Sequence, residues 1–292
     1  MRSDFVALIL THGRAGRVTT EKALRRHGYT GRVIYVIDDE DNQADEYKRI
    51  YGADNVETFC KQEYVESSDT MMQKGLAKRG VILYARNAAF DIAKRRGFNW
   101  FVELDDDYKT FEKREAVGGR LLVTYVNDLD ALFEAMVAFV EKTGAVLSLS
   151  QAGDYVGGAN GGEFARGKLW KRKAMNSFVF NVDSSVRFAG CINEDVVTYL
   201  RLGKAGKLVC QTYLASLTQK TTQKNKGGMS DEYIDDGTFL KSMFAVVENP
   251  SCVRLSMMGN TKKRIHHHVS WRYAVPKILR EEESKCPATA AN

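Results

Sequence analysis

The run Trp100-Phe101-Val102-Glu103-Leu104-Asp105-Asp106-Asp107-Tyr108 decides how this chain folds. Its aromatic, apolar first half has the character of a buried strand, and it stops abruptly in three adjacent carboxylates. Adjacent acids repel one another, and a single Asp is an ordinary turn or helix-cap residue. Three together at the end of a buried strand suit a bound divalent cation instead, and hard oxygen ligands select Mg²⁺ or Mn²⁺. Open α/β sheets bind their ligands beyond the carboxyl ends of the strands, which is where these acids fall.

Working outward, residues 4–10 (DFVALIL) and 32–37 (RVIYVI) read as two further buried strands. Between them, about 17–28 is helical with Ala23 and Leu24 inward, and a polar helix over about 43–51 follows the second strand. This alternation predicts right-handed βαβ crossovers and a mostly parallel sheet, an α/β fold. Residues 60–80 are polar and read as a long active-site loop. A helix over about 82–96 turns Leu83, Ala89, Ile92 and Ala93 to an apolar face. It closes on Lys94-Arg95-Arg96-Gly97, a cationic last turn followed by glycine, and leads into the acidic strand.

Downstream, Leu129, Leu132, Phe133, Met136, Val137 and Val140 recur at helical spacing over 127–143, with Asn127 or Asp128 as cap and Gly144 as stop. Strands are predicted at 145–150, 178–182, 207–214 and 252–256, and a helix from Glu194 to about Leu202. The glycine-rich stretch 153–167 (GDYVGGANGGEFARG) reads as a mobile loop or hairpin at the site mouth. Residues 218–237 are polar, and 265–280 read as a basic amphipathic tail.

A chain of 292 residues, 44% hydrophobic with three prolines, is an ordered globular protein with a sizeable core. No apolar run nears the roughly 20 residues that span a bilayer, and the first strand is too short for a signal-peptide core. The expectation is a cytoplasmic protein with no membrane partner. Five cysteines, at 60, 191, 210, 252 and 286, lack CxxC spacing, which points to a reducing compartment and no zinc site. The net charge of +6 is compatible with a polyanionic partner or a nucleotide.

The candidate chemistry clusters at the strand ends. Thr11 and Arg14 follow the first strand, and Asp38 and Asp39 the second. Arg86 and Asn87 lie on the helix before the acidic strand, Asp105, Asp106 and Asp107 just after it, and Glu194-Asp195 open a later helix. An acid after the second strand can accept bonds from a base or ribose. Arg86 can hold a phosphate bidentately. Glu194 and Asp195 can be a general base and its support, or a helix start that complements the dipole.

Together these features resemble the glycosyltransferase A fold. Asp105-Asp106-Asp107 matches its DxD motif, Ala85-Arg86-Asn87 looks like the ARN element of inverting family-two enzymes, and Asn193-Glu194-Asp195 with Arg201 looks like their ED motif. More narrowly, Leu10-Thr11-His12-Gly13-Arg14, the Glu-Leu-Asp-Asp-Asp strand and His266-His267-His268 look similar to the TET-associated glycosyltransferases of bacteriophages. The resemblance implies a single domain over 1–245, with a nucleotide-sugar half of about 1–110 and an acceptor half of about 111–245, then a basic C-terminal extension over 246–292. It implies a UDP-sugar donor, Mn²⁺ or Mg²⁺, and transfer to 5-hydroxymethylcytosine in phage DNA in the host cytoplasm. Thr11, Arg14, Asp38, Asp39, Arg86, Asn87, Asp105 and Asp106 would bind the donor, Asp107 and Asp105 the metal with His268, and Glu194 or Asp195 would act as base. The basic residues Lys171, Arg172, Lys224, Lys226, Lys262, Lys263 and Arg272 interleave with aromatics, which suits double-stranded or single-stranded DNA. A polysaccharide, lipid or protein acceptor, or a non-catalytic nucleic-acid-binding module, are the alternatives.

Overall fold

The computed structural model describes residues 1–73, 76–77, 79–162, 164–167, 170–219, 229–259 and 263–274, with the backbone alone for 170–171 and 229–238. Lys224, Lys226 and Lys262, and the side chain of Lys171, lie outside the described residues.

The first half runs β1 (Phe5–Leu10), α1 (Thr20–Arg26), β2 (Arg32–Asp38), α2 (Ala44–Tyr51), β3 (Val56–Phe59), α3 (Lys61–Ser67), α4 (Leu83–Arg95) and β4 (Trp100–Asp105), the predicted alternation with β3 and α3 added. An antiparallel pair, β5 (Tyr108–Val117) and β6 (Arg120–Tyr125), leaves the acidic segment. Then come α5 (Leu129–Thr143), β7 (Val146–Gln151), α6 (Gly158–Gly161), β8 (Trp170–Lys171), β9 (Ser177–Asn181), α7 (Glu194–Lys204) and β10 (Val209–Gln219). The chain continues through α8 (Met229–Glu248), β11 (Val253–Met258), β12 (Arg264–Val269) and α9 (Trp271–Ala274).

The central sheet has the order β3-β2-β1-β4-β9-β7-β10-β5-β6, with β8 on β10. Strands β1 to β4, β6, β7 and β10 run one way, and β5, β8 and β9 run against them. The result is a mixed α/β fold around a large, mostly parallel sheet.

Both faces of β1 are buried, which is why it reads as a continuous apolar run rather than an alternating one. Val6, Leu8 and Leu10 enter one core with α4 and α7, while Phe5, Ala7 and Ile9 enter the other with α1 and α5. At its start α5 is capped by Asp128, whose Oδ1 accepts from the Ala131 N–H at 2.9 Å, and it ends at Gly144 in the left-handed conformation.

Four expectations are corrected. Within the polar stretch 60–80 lies the helix α3, preceded by the short edge strand β3. Ala152–Tyr155, Gly158–Gly161 and Phe164–Arg166 form short helical turns rather than a hairpin. The polar segment 218–237 contains the start of α8. The basic tail begins as strand β12, paired with β11, and its histidines alternate faces on that sheet. Cys252, Val253 and Ala274, from the expected C-terminal extension, share a core with the central sheet.

Candidate active site

The strand ends are aligned by register. Leu10 pairs with Asp105 on one side and Val36 on the other, so β1, β2 and β4 finish together. The three acids leave that edge on a segment pinned from α1. Thr20 Oγ1 donates to the Asp105 carbonyl at 2.6 Å and accepts the Tyr108 N–H at 3.0 Å, while the Thr19 N–H donates to the Asp106 carbonyl at 2.9 Å. A short polar side chain at a helix start can bond in both directions in this way, which an apolar residue could not do.

The acids divide by environment. Asp106 is buried and turned inward: Thr11 Oγ1 donates to its Oδ2 and Arg14 donates to its Oδ1, each at 2.8 Å. Thr11 also shares a 2.8 Å hydrogen bond with the Tyr47 hydroxyl. Thr11, Arg14 and Asp106, all expected to touch the donor, thus touch each other and fix the loop that carries the outer acids. Asp105 and Asp107 keep partial exposure at the strand end.

Arg86 is the centre of a second cluster. Its Nε donates to Glu194 at 3.0 Å, and its two terminal nitrogens donate to Glu103 and Asp105, each at 3.3 Å. Its guanidinium carbon lies 5.2 Å from the Phe178 ring centroid and 5.5 Å from that of Phe188. Only 2% of the side chain is exposed. A cation ringed by three carboxylates and two aromatic faces is not available to a phosphate. Arg86 therefore joins the acidic strand to the start of α7, and the expectation of direct donor binding is corrected. Asn87, beside it, bridges Ser68 Oγ at 3.0 Å and both the carbonyl and the N–H of Phe188 at 3.1 and 2.8 Å. It staples two loops.

One arginine does not offset the burial of so many acids. Burial is the largest cause of the shift in each case. It pushes Glu103 up to about 8 and Asp105 up to about 7, with the charge of Asp107 adding to the latter. Asp195, buried beside Glu194, is pushed up to about 6. Glu103 carries a buried Oε1 without a hydrogen-bond partner. Sequence reasoning passed over Glu103, although an acid inside an apolar strand is a legible sign that a buried cation must meet it.

The second strand ends in another polar group. Asp38 accepts from His12 Nδ1 and pairs with Lys61 Nζ, both at 2.8 Å, which holds its carboxyl below the ordinary value although burial opposes this. Asp39 is exposed and accepts the Lys61 N–H at 2.9 Å, at the start of α3. Asp38 has both oxygens engaged inside the protein, so it is not the free acceptor that was expected. His12, Asp41 and Lys61 are the residues at this end that the sequence did not single out.

Among the three histidines, His268 is exposed and registers with Arg254. His267 faces inward. Burial, with the nearby charges of His266 and Lys241, pushes it down to about 4. Among the described residues no group of three His, Cys, Asp or Glu side chains is arranged to hold a metal ion. Two carboxylates are nevertheless an adequate protein share for Mg²⁺ or Mn²⁺, which take most remaining ligands from phosphate oxygens and water. Asp105 and Asp107, both partly exposed at the strand end, supply the hard oxygen donors such an ion takes. Arg172, Lys263 and Arg272 are exposed.

The model of the TET-associated glycosyltransferase family matches residues 5–228. Among solved structures the chain is similar to the crystal structure of S. aureus TarS 1-349, at 12% identity and a TM-score of 0.43, over 83% of this chain. It spans 65% of the length of that chain. No curated protein matches.

Proposed function

The chain belongs to the TET-associated glycosyltransferase family, and on that premise we propose that it moves a sugar from a UDP-sugar to 5-hydroxymethylcytosine in phage DNA. That it is a glycosyltransferase, an enzyme with a nucleotide-sugar donor, follows from the family. The donor base, the metal and the DNA acceptor are the proposal. The observation that carries it is the convergence of Asp105 with Glu194 on one buried arginine, which sets the acidic strand end beside the start of α7.

Asp105 and Asp107 would hold Mn²⁺ or Mg²⁺. When bound, the ion offsets charge on the departing diphosphate. The protein's own residues do the rest. Thr11 and Arg14 fix Asp106 and hence the two acids beside it. Arg86 holds Glu194 in place, which leaves Asp195 as the base. A carboxyl raised to about 6 is still ionised at neutral pH and is a stronger base than an ordinary aspartate. As the acceptor oxygen bonds to the anomeric carbon and the bond to the diphosphate breaks, Asp195 takes the hydroxyl proton. Asp195 lines a small apolar core cavity with Phe178, Phe188, Thr198 and Tyr199, and this dry wall is what raises its basicity.

The DNA acceptor is supported by the family and by the exposed cations Arg172, Lys263 and Arg272, the last beside Tyr273, which is 66% exposed. Among the described residues no helix is long and apolar enough to cross a membrane. The test is mass spectrometry of nucleosides from hydroxymethylated DNA treated with the protein, UDP-glucose and Mn²⁺. A hexose added to 5-hydroxymethylcytosine is the expected product. Sugar on a polysaccharide, lipid or protein acceptor, with none on the DNA, would refute the acceptor.

A further inference from the structure

His12 stands at the junction of β1 and β2 with one ring edge committed and the other open. Its Nδ1 lies 2.8 Å from Asp38 Oδ2 and 3.8 Å from Asp41 Oδ2. Lys61 Nζ takes the other oxygen of Asp38 at 2.8 Å and pairs with Glu40 at 3.3 Å. Asp41 also accepts the Gly13 N–H at 2.8 Å. Asp38, Asp41 and Lys61 are buried and satisfied by one another, while the His12 side chain is 46% exposed. A carboxylate on Nδ1 fixes the ring so that Nε2 faces away from it. Three buried groups thus orient one half-exposed imidazole, an arrangement that a surface histidine does not need.

We propose that His12 donates from Nε2 to a carbonyl oxygen on the base of the donor nucleotide, and so separates carbonyl-bearing bases from adenine. The inference rests on the nucleotide-sugar reading above. Its placement follows from the sheet order. The outer acids leave β4, while His12 turns toward the end of β2, and β1 lies between them. Two strand spacings amount to about 10 Å, the reach from a diphosphate across a ribose to its base. A diphosphate beside Asp105 and Asp107 therefore brings the base to His12. Asp38, the obvious candidate to read the base, is sealed by Lys61 and His12 and acts through the latter.

The charged groups facing His12 are Asp38 and Asp41 from the β2 side and Lys61 from α3, with Glu40 and Arg79 paired behind Lys61. Asp38 raises the imidazole above its ordinary value, so the ring carries both protons further into the neutral range. Affinity for the base is then present at low pH and falls as pH rises through that raised value.

Calorimetric titration of the full chain with Mg²⁺ present tests this, using UDP, ADP and inorganic pyrophosphate against wild type, His12→Ala and His12→Gln. At about pH 6, below the ordinary imidazole value, His12→Ala is expected to bind UDP about 10-fold to 100-fold more weakly. ADP and pyrophosphate should change by less than about twofold, because adenine has no carbonyl for the imidazole to bond. Wild type should lose UDP affinity as pH rises from about 6 through the raised imidazole value. His12→Gln, which keeps a neutral N–H donor, should bind UDP better than His12→Ala and lose that pH dependence. Unchanged UDP affinity in His12→Ala overturns the inference while leaving the donor reading intact. An equal loss for pyrophosphate moves the contact to the phosphates and overturns it too. Wild type that binds none of the three overturns the donor reading and this inference together.

Discussion

Replacing Arg86 by methionine should destabilise the protein by an amount that grows with pH. The side chain is 2% exposed and donates to Glu103, Asp105 and Glu194. Methionine matches much of its apolar length and leaves the two aromatic rings packed, so the perturbation is chiefly the loss of charge and of three hydrogen bonds. Breaking a buried ion pair by removing one partner costs about 3–5 kcal/mol. The sign of the pH dependence follows from the acids left behind. Glu103 and Asp105 already sit at about 8 and about 7, above the ordinary 4.5 and 3.8. An acid whose folded value is raised stabilises the fold below its unfolded value, and that contribution is lost as pH rises through the folded value. Without Arg86 both values climb further. At about pH 8 the variant must therefore bury carboxylates uncompensated or take up protons against the solvent.

At about pH 5 Glu103 and Asp105 are largely neutral in both proteins, and wild type then buries an arginine two of whose three partners have lost their charge. The cost of the substitution should fall there to less than half. At about 2 °C per kcal/mol for a chain of this size, thermal denaturation should show a drop of about 6–10 °C at pH 8 and under about 4 °C at pH 5. Arg86→Lys, a point charge in place of a planar fork, should fall between the two proteins at pH 8. A loss that is equal at both pH values, or larger at pH 5, refutes the account of Arg86 as the cation that balances these acids.

Asp195→Asn should lower kcat about 10²-fold to 10⁴-fold with UDP affinity within about twofold, read from steady-state transfer and UDP titration. Glu194→Gln should cost less, because its role is to accept from Arg86 rather than to take the proton. Asp107→Ala should abolish the gain in UDP affinity that Mn²⁺ gives wild type, at least about tenfold by calorimetry; a variant that keeps that gain removes Asp107 from the metal site. Asn87→Ala should cost about 2–3 kcal/mol in denaturant unfolding through the lost bonds to Ser68 and Phe188, with UDP affinity unchanged. A drop in UDP affinity at equal stability would restore Asn87 to the donor site.

The parallel half was legible because its signals are local. Strands buried on both faces are continuous apolar runs, and helices between them show helical periodicity over two or more turns. The β5–β6 hairpin was not read from the sequence, although Gly118 and Gly119, both at positive φ, separate two strand-like runs, and paired glycines favour such a tight hairpin. α8 was hidden because its N-terminal half is polar and its packing comes from residues far away in sequence, such as β12. For the site, residue types were readable but partners were not. Asp105, Asp106 and Asp107 look alike in sequence, yet only the middle one meets Thr11 and Arg14, residues 95 and 92 positions away. Likewise Arg86 looks like a phosphate ligand until Glu194, 108 positions on, claims it.

The placement of the buried charges suggests why the site can be both acidic and stable. A row of acids at the open end of a sheet costs folding free energy, and a bound cation relieves it only while ligand is present. Arg86 relieves part of it permanently, from below, on the side that solvent and substrate do not reach. This leaves the exposed edges of Asp105 and Asp107 negative enough to attract a cation, while Glu103 beneath them spares the core a further charge by taking up a proton near neutral pH. The same trade is made at the other end, where Lys61 compensates Asp38 from the buried side and leaves the imidazole of His12 to face the ligand. In both places the compensating charge lies inside and the working group lies outside, so the sheet holds the groups that chemistry needs without neutralising them.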